Sequence, residues 1–198
     1  EKQLGTIPTG MKIPDEISEV EVYESPQIER TSRRLIRLTE GRSKLGRVLD
    51  VGCGTGMTSR LIRDRSDFIH GVDLDIEWLK EASSKNIFNK LDHANILDWD
   101  SKQSKFDTIV SSGVTNIIPQ FGQFVSKIES LLTKEGRAYI DVLTCSGSDG
   151  QRQIDMYVLR TREYIGQIIK DHGLRINYEH IGPNQFAVGT YMEIGRTK

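Results

Sequence analysis

The stretch Val48-Leu49-Asp50-Val51-Gly52-Cys53-Gly54-Thr55-Gly56-Met57 constrains this chain more than any other. Apolar residues and one aspartate run straight into three glycines spaced two apart. Thr58 to Arg63 then offers the start of a helix, which the pattern extends to about Arg65. Strand, glycine turn and helix together hold a polar or anionic group against backbone amides. Glycine tolerates positive φ and lets a ligand approach the main chain. The helix N-terminus adds unpaired N–H groups and a partial positive charge. The G-x-G-x-G spacing, with Asp50 two residues ahead of Gly52, differs from the dinucleotide fingerprint G-x-G-x-x-G.

Composition narrows the class. A chain of 198 residues with 36% hydrophobic and 28% charged residues reads as one globular, soluble domain. Its apolar runs are too short to span a bilayer, and no signal-peptide pattern opens it. The two cysteines, Cys53 and Cys145, lack zinc-type spacing, so no metal site is expected and a cytoplasmic, reducing compartment is. Net charge is −1, yet ten Lys/Arg against three acids fall between Arg30 and Arg65. That surplus suits phosphates, although a solvated helix face explains it as well.

The alternation of strands and helices predicts an α/β fold. Ser25-Pro26 opens a helix ending near Gly41, with Asp15 to Val22 a shorter helix before it. Strands are expected at Arg47–Val51 and Phe68–Asp73, one in Phe106–Gly113 opened by Phe106-Asp107, a short one near Asp92–Trp99, and a fifth at Arg137–Leu143. Lys134-Glu135-Gly136 reads as the turn into that fifth strand. Asp75 caps a helix carrying Leu79 and Ala82. Phe121, Phe124, Val125, Ile128, Leu131 and Leu132 form one apolar helical stripe. Residues 144–157 read as a polar loop without helix or strand period. Thr161 caps a further helix, and Leu174–Ile181 and Gln185–Ile194 read as a closing pair of strands. An acid at the end of the second strand, Asp73, is placed to accept bonds from ribose hydroxyls.

The glycine turn, the Gly71-Val72-Asp73-Leu74-Asp75 stretch and the Phe106-Asp107 strand, in that order, resemble the class I S-adenosylmethionine-dependent methyltransferases. The resemblance covers roughly residues 47–194. It implies a seven-stranded, doubly wound, mostly parallel sheet with a C-terminal antiparallel hairpin and helices on both faces. It divides the chain into an N-terminal arm and lid-like helix (1–46), with Tyr23 a candidate cover, and a cofactor-binding domain (47–198). It also implies S-adenosyl-L-methionine as cofactor, held by Asp50, Gly52, Cys53, Gly54, Thr55, Gly56, Asp73, Leu74, Asn95, Ile96 and Ser111, with Ser112 the alternative to Ser111 at the end of the fourth strand. Asn95 stands where the family has an acid facing the adenine amino group; its amide oxygen accepts the same bond, and Asp98 is the alternative. The implied reaction is methyl transfer by in-line displacement, mainly through positioning.

No general base stands out; Asn116 is the one candidate near the acceptor, whose pocket the 144–157 loop, closed by Tyr157 and Arg160, and the N-terminal helix are expected to shape. The Asp/Asn-Pro-Pro-aromatic motif of nucleobase amino methylases is absent, with Ser111-Ser112-Gly113-Val114 in its place. That favours a small-molecule acceptor with an oxygen, nitrogen or carbon nucleophile. Two other readings stay open. One is an RNA or protein methylase using the basic 30–65 stretch. The other is a non-catalytic binding or scaffold domain of the same fold. Oligomeric state is not legible.

Overall fold

A computed structural model describes residues 26–147, 150–183 and 188–197. The expected short helix at 15–22 and Tyr23 lie outside the described residues. A seven-stranded sheet organises the rest, in the order β3-β2-β1-β4-β5-β9-β8. Its strands are β1 (Gly46–Val51), β2 (Ser66–Asp73), β3 (Lys90–His93), β4 (Phe106–Ser111), β5 (Leu132–Leu143), β8 (Leu174–Pro183) and β9 (Val188–Arg196). The pairs from β3 across to β5 are parallel. Strand β9 runs antiparallel between β5 and β8. This is the doubly wound sheet with a closing hairpin that the sequence implies.

Two apolar layers cover the sheet. On one side lie α4 (Phe121–Leu131) and α5 (Arg162–Asp171). Phe121, Phe124, Val125 and Ile128 of α4 join Ile109, Ala138, Ile140 and Met192 in one buried cluster. Strand alternation turns the neighbouring side chains Val48, Val110 and Tyr139 to the other side. There they meet Leu35 and Ile36 of α1 (Pro26–Arg37) and Leu45 of the connection to β1. Thus α1 is part of the core, with Leu35 fully buried.

Several ends differ from the sequence expectation. The helix after the glycine turn is one turn long, α2 (Met57–Arg60), followed by a 3-10 turn at Arg63–Arg65. The chain must drop back quickly, because Leu45 N–H donates to Arg65 O at 2.8 Å and Ser66 already pairs with Gly46. α3 (Ile76–Ser84) is capped as expected, Asp75 accepting from Glu77 and Trp78 N–H at 2.9 and 3.0 Å. Strand β5 begins directly after α4, at Leu132. Its register with β4 jumps from Phe106↔Leu132 to Thr108↔Arg137, so residues 133–136 bulge where a turn was expected. The expected polar loop after β5 carries an antiparallel hairpin instead, β6 (Gln151–Ile154) and β7 (Tyr157–Arg160).

Phe124 is fully enclosed at the centre of the α4 layer. Phe124→Ala is expected to cost about 3–5 kcal/mol. A lower urea midpoint with an unchanged slope of the transition checks this.

Candidate functional site

Gly52 leaves β1 with φ +66, and a Cβ there would run into Val114 Cγ2 from the segment after β4. A side chain at this position is excluded by both conformation and space. Gly71 in β2 has the same role for packing: a Cβ would stand 2.8 Å from Cys53 Sγ and 2.8 Å from the Phe88 ring. Cys53 is buried, and burial pushes its thiol pKa far up. Its contribution is shape, as the sequence suggests, and not reactivity.

The turn is fastened to β2 by Gly52 and Cys53 N–H, which donate to Val72 O at 2.8 and 3.2 Å, and by one carboxylate. Asp73 Oδ2 accepts the Gly54 N–H at 2.7 Å, and Oδ1 accepts the Asp75 N–H at 2.8 Å. Burial raises the Asp73 pKa, and these bonds oppose the rise. Leu74, beside it, is 65% exposed at the strand end, whereas Ile96 is buried and Asn95 half-buried. Asn95 Oδ1 accepts from Leu97 N–H at 3.0 Å, which closes the turn after β3. Asp98 is exposed, in that same turn.

Beneath the turn lies Asp50, 1% exposed, accepting from Ser59 Oγ at 2.6 Å. Burial raises its pKa to about 7, and the nearby Asp73 charge adds to the rise. Thr55 is also fully buried. Ser32 of α1 joins Thr58 of α2 at 3.0 Å and reaches Ser112 at 3.5 Å. Of these hydroxyls the sequence singled out only Ser112; Ser32 was missed, because α1 precedes the first strand by a connection without motif.

At the end of β4 the structure separates two serines. Ser111 pairs with Ile140, shares its side of the sheet, and has a buried Oγ without a partner among the described residues. Ser112 is the one turned toward α1 and α2. Asn116, the sequence candidate near the acceptor, has a buried Nδ2 with no partner among the described residues. It is fully buried, its Oδ1 accepts from Leu143 N–H at 2.9 Å, and its carbonyl accepts from Val158 N–H at 2.7 Å. It clamps β5 and β7 to the segment after β4.

Arg160 completes that clamp. Its guanidinium donates to the carbonyls of Thr115, at 2.7 Å, and Ile118, and to Gln151 Oε1 at 3.0 Å. It also lies 4.6 Å from the Phe121 ring centroid. Burial lowers its pKa to about 10, so it stays charged at neutral pH. The sequence marked Arg160 only as the close of a loop.

Of the ten basic residues in the 30–65 stretch, Arg34, Arg42, Arg63 and Arg65 are half-buried and the other six are exposed. Arg42 donates to Thr108 Oγ1 at 2.9 Å, and Arg65 to the carbonyls of Thr39 and Arg42 at 3.0 and 3.2 Å. Arg47 lies over the Phe68 ring, Arg63 reaches Asn89, and Arg33 pairs with Glu29. A shallow polar cavity of about 430 Å³ opens at the opposite, N-terminal end of β5, where Arg137 already pairs with Glu193.

Residues 23–182 match the family model described as a methyltransferase domain. This chain belongs to that family. An uncharacterized methyltransferase of Mycobacterium tuberculosis is 28% identical over 114 residues, 56% of this chain and 58% of that protein. A malonyl-[acyl-carrier protein] O-methyltransferase of Pseudescherichia vulneris is 28% identical over 127 residues, 64% of this chain and 50% of that one. The chain thus spans little more than half the length of these curated relatives. Among solved structures, magnesium protoporphyrin IX methyltransferase from Synechocystis with bound SAH superposes with a TM-score of 0.72. It is 16% identical, over 92% of this chain and 89% of that chain. The fold is therefore that of the S-adenosylmethionine-dependent methyltransferases, as the resemblance implied.

Asp50 yields a test. Its folded pKa, about 7, lies above the ordinary 3.8. Its contribution to stability is therefore whole below about pH 4 and is lost as pH rises through 7. Relative to Asp50→Asn, the wild-type chain should lose on the order of a few kcal/mol across that window. Urea titrations of both proteins from pH 4 to 8 measure the difference; equal pH slopes would contradict it.

Proposed function

We propose that this protein transfers a methyl group from S-adenosyl-L-methionine to a small-molecule acceptor. The observation that carries the reading is the Asp73 carboxylate at the end of β2, bonded to the glycine turn through Gly54 N–H. One acid and three glycines with positive φ come together there. The cofactor fits this donor set. A carboxylate suits a ribose diol, and the exposed Leu74 with Asn95 and Ile96 suits a flat purine carrying an amino group. The turn at Gly52, Cys53, Gly54, Thr55 and Gly56, with Asp50 beneath it, suits the polar amino-acid end. Ser112 is a better candidate than Ser111 beside that end, because its hydroxyl lies on the α1 and α2 side.

When bound, this cofactor supplies a methyl group already activated by its sulfonium. The chain's own residues have the simpler tasks of holding and aligning two reactants and excluding water. Asp73 and the glycine turn hold, α1 closes one side through Ser32, and the segment after β4 forms the floor. We read residues 1–46 as an arm and lid-like helix on a domain of 47–198. Its described part, α1, packs on the sheet near the turn. No described helix is long and apolar enough to cross a membrane, which is consistent with the cytoplasmic location we propose. The internal bonds of Arg42 and Arg65 take two of the ten basic residues of the 30–65 stretch away from a nucleic-acid acceptor.

Calorimetric titration with S-adenosylmethionine, S-adenosylhomocysteine and NAD tests the reading. The first two should bind and NAD should not. Asp73→Ala should weaken both by at least about tenfold, the scale of losing hydrogen bonds to a charged group. Absence of binding by either would refute the proposal.

A further inference from the structure

The β6–β7 hairpin stands over the C-terminal ends of the parallel strands, where ligands of open α/β sheets bind. Three attachments hold it there. Cys145 N–H donates to Arg160 O at 3.0 Å beyond β5. Val158 N–H donates to Asn116 O, in the segment after β4. The fully buried Arg160 guanidinium binds the Thr115 and Ile118 carbonyls of that same segment. Val114, one residue before Thr115, packs directly against Gly52 of the glycine turn. The hairpin and the turn are therefore braced against one short segment.

The hairpin's inner residues Val158 and Leu159 are buried, but its tip is not. Ile154 is 38% and Met156 60% exposed, around a tight turn in which Asp155 takes φ +52. Ile117, next to the Asn116–Val158 bond, is 50% exposed. Exposed apolar side chains brought to one surface mark binding sites, and the Asn116–Val158 bond brings Ile117 to the hairpin that carries Ile154 and Met156.

We propose that this hairpin is a fixed wall of the acceptor site, and that Ile117, Ile154 and Met156 receive an apolar body on the methyl acceptor. The inference rests on the methyl-transfer reading. Arg160 is a positioning residue that touches no reactant. Three such side chains form a surface on the order of a few hundred Å². A stable protein–protein interface needs about 1,200 Å² or more, so a small apolar molecule is the occupant that fits. Continuity with the glycine turn through Val114 places that molecule beside the cofactor and not on a remote face. Lysine cannot replace Arg160, because a single ammonium lacks the planar fork that serves two carbonyls.

The test uses the whole chain, with and without S-adenosylhomocysteine, titrated with the neutral fluorescent probe N-phenyl-1-naphthylamine. Saturable binding is expected. Met156→Asp and Ile117→Asp, both at exposed positions, should weaken it at least tenfold while S-adenosylhomocysteine affinity stays within twofold. A folded Arg160→Lys should also lose probe affinity although every apolar side chain of the wall remains. Sedimentation at rising concentration checks the competing occupant, a second copy. The proposal fails if the wild type shows no saturable binding or if the aspartate variants bind the probe as well as the wild type. It also fails if the chain dimerises and Met156→Asp dissolves the dimer. Wild-type probe affinity in folded Arg160→Lys would overturn the bracing role. Failure of S-adenosylhomocysteine to bind would instead strike the methyl-transfer reading, and the titration without it would still decide whether the wall binds an apolar body.

Discussion

The hydrogen bond from Gly54 N–H to the Asp73 carboxylate ties together the two segments on which the site depends. It joins the turn after β1 to the end of β2, two strands already paired in parallel from Gly46 to Val51. Parallel strands end side by side at one edge, so a turn leaving one strand meets the last residue of the next. Asp73 is 7% exposed. A carboxylate that enclosed needs donors, and the Gly54 and Asp75 amides supply them at 2.7 and 2.8 Å. The same arrangement leaves Leu74 in solvent directly beyond. The edge of the sheet thus presents one acid and one bare apolar side chain next to three left-handed glycines.

A second brace works beyond the ends of β4 and β5. Arg160 and Asn116 bind backbone carbonyls and amides of segments that are otherwise irregular. Buried irregular backbone needs such partners, because its polar groups have no ladder to satisfy them. The guanidinium offers five donors in a fixed plane, which suits carbonyls arriving from Thr115 and Ile118 at once. Between the two braces sits Val114, packed on Gly52. The turn, the segment after β4 and the hairpin therefore form a continuous rim along the C-terminal ends of the strands.

What was legible in the sequence follows from local physics. The three glycines declare a turn that no other residue tolerates. Asp75 and Thr161 declare caps because their side chains reach amides two or three residues on. The stripe from Phe121 to Leu131 declares a helix because its period matches one buried face. The hairpin at 151–160 gave no comparable signal: its turn residues Asp155 and Met156 are not the Asn-Gly or Gly-containing pairs that announce a two-residue turn. The basic stretch was legible only as a row of charges, which says nothing about their partners. Arg42 and Arg65 find theirs in Thr108 and Thr39, far away in the chain.

By itself, then, the sequence determined the class of fold, the order of its elements and the location of the glycine turn with its acid at Asp73. Those depend on periodicity, spacing and backbone tolerance, which act over a few residues. Only the tertiary structure decided which serine at the end of β4 faces α1, and that Asn116 joins β5 and β7 to the segment after β4. It also decided that Arg160 is enclosed and that Asp50 holds its proton up to about pH 7. Each of these depends on what lies across the sheet or under the next turn, and burial and long-range partners arise only once the chain has folded.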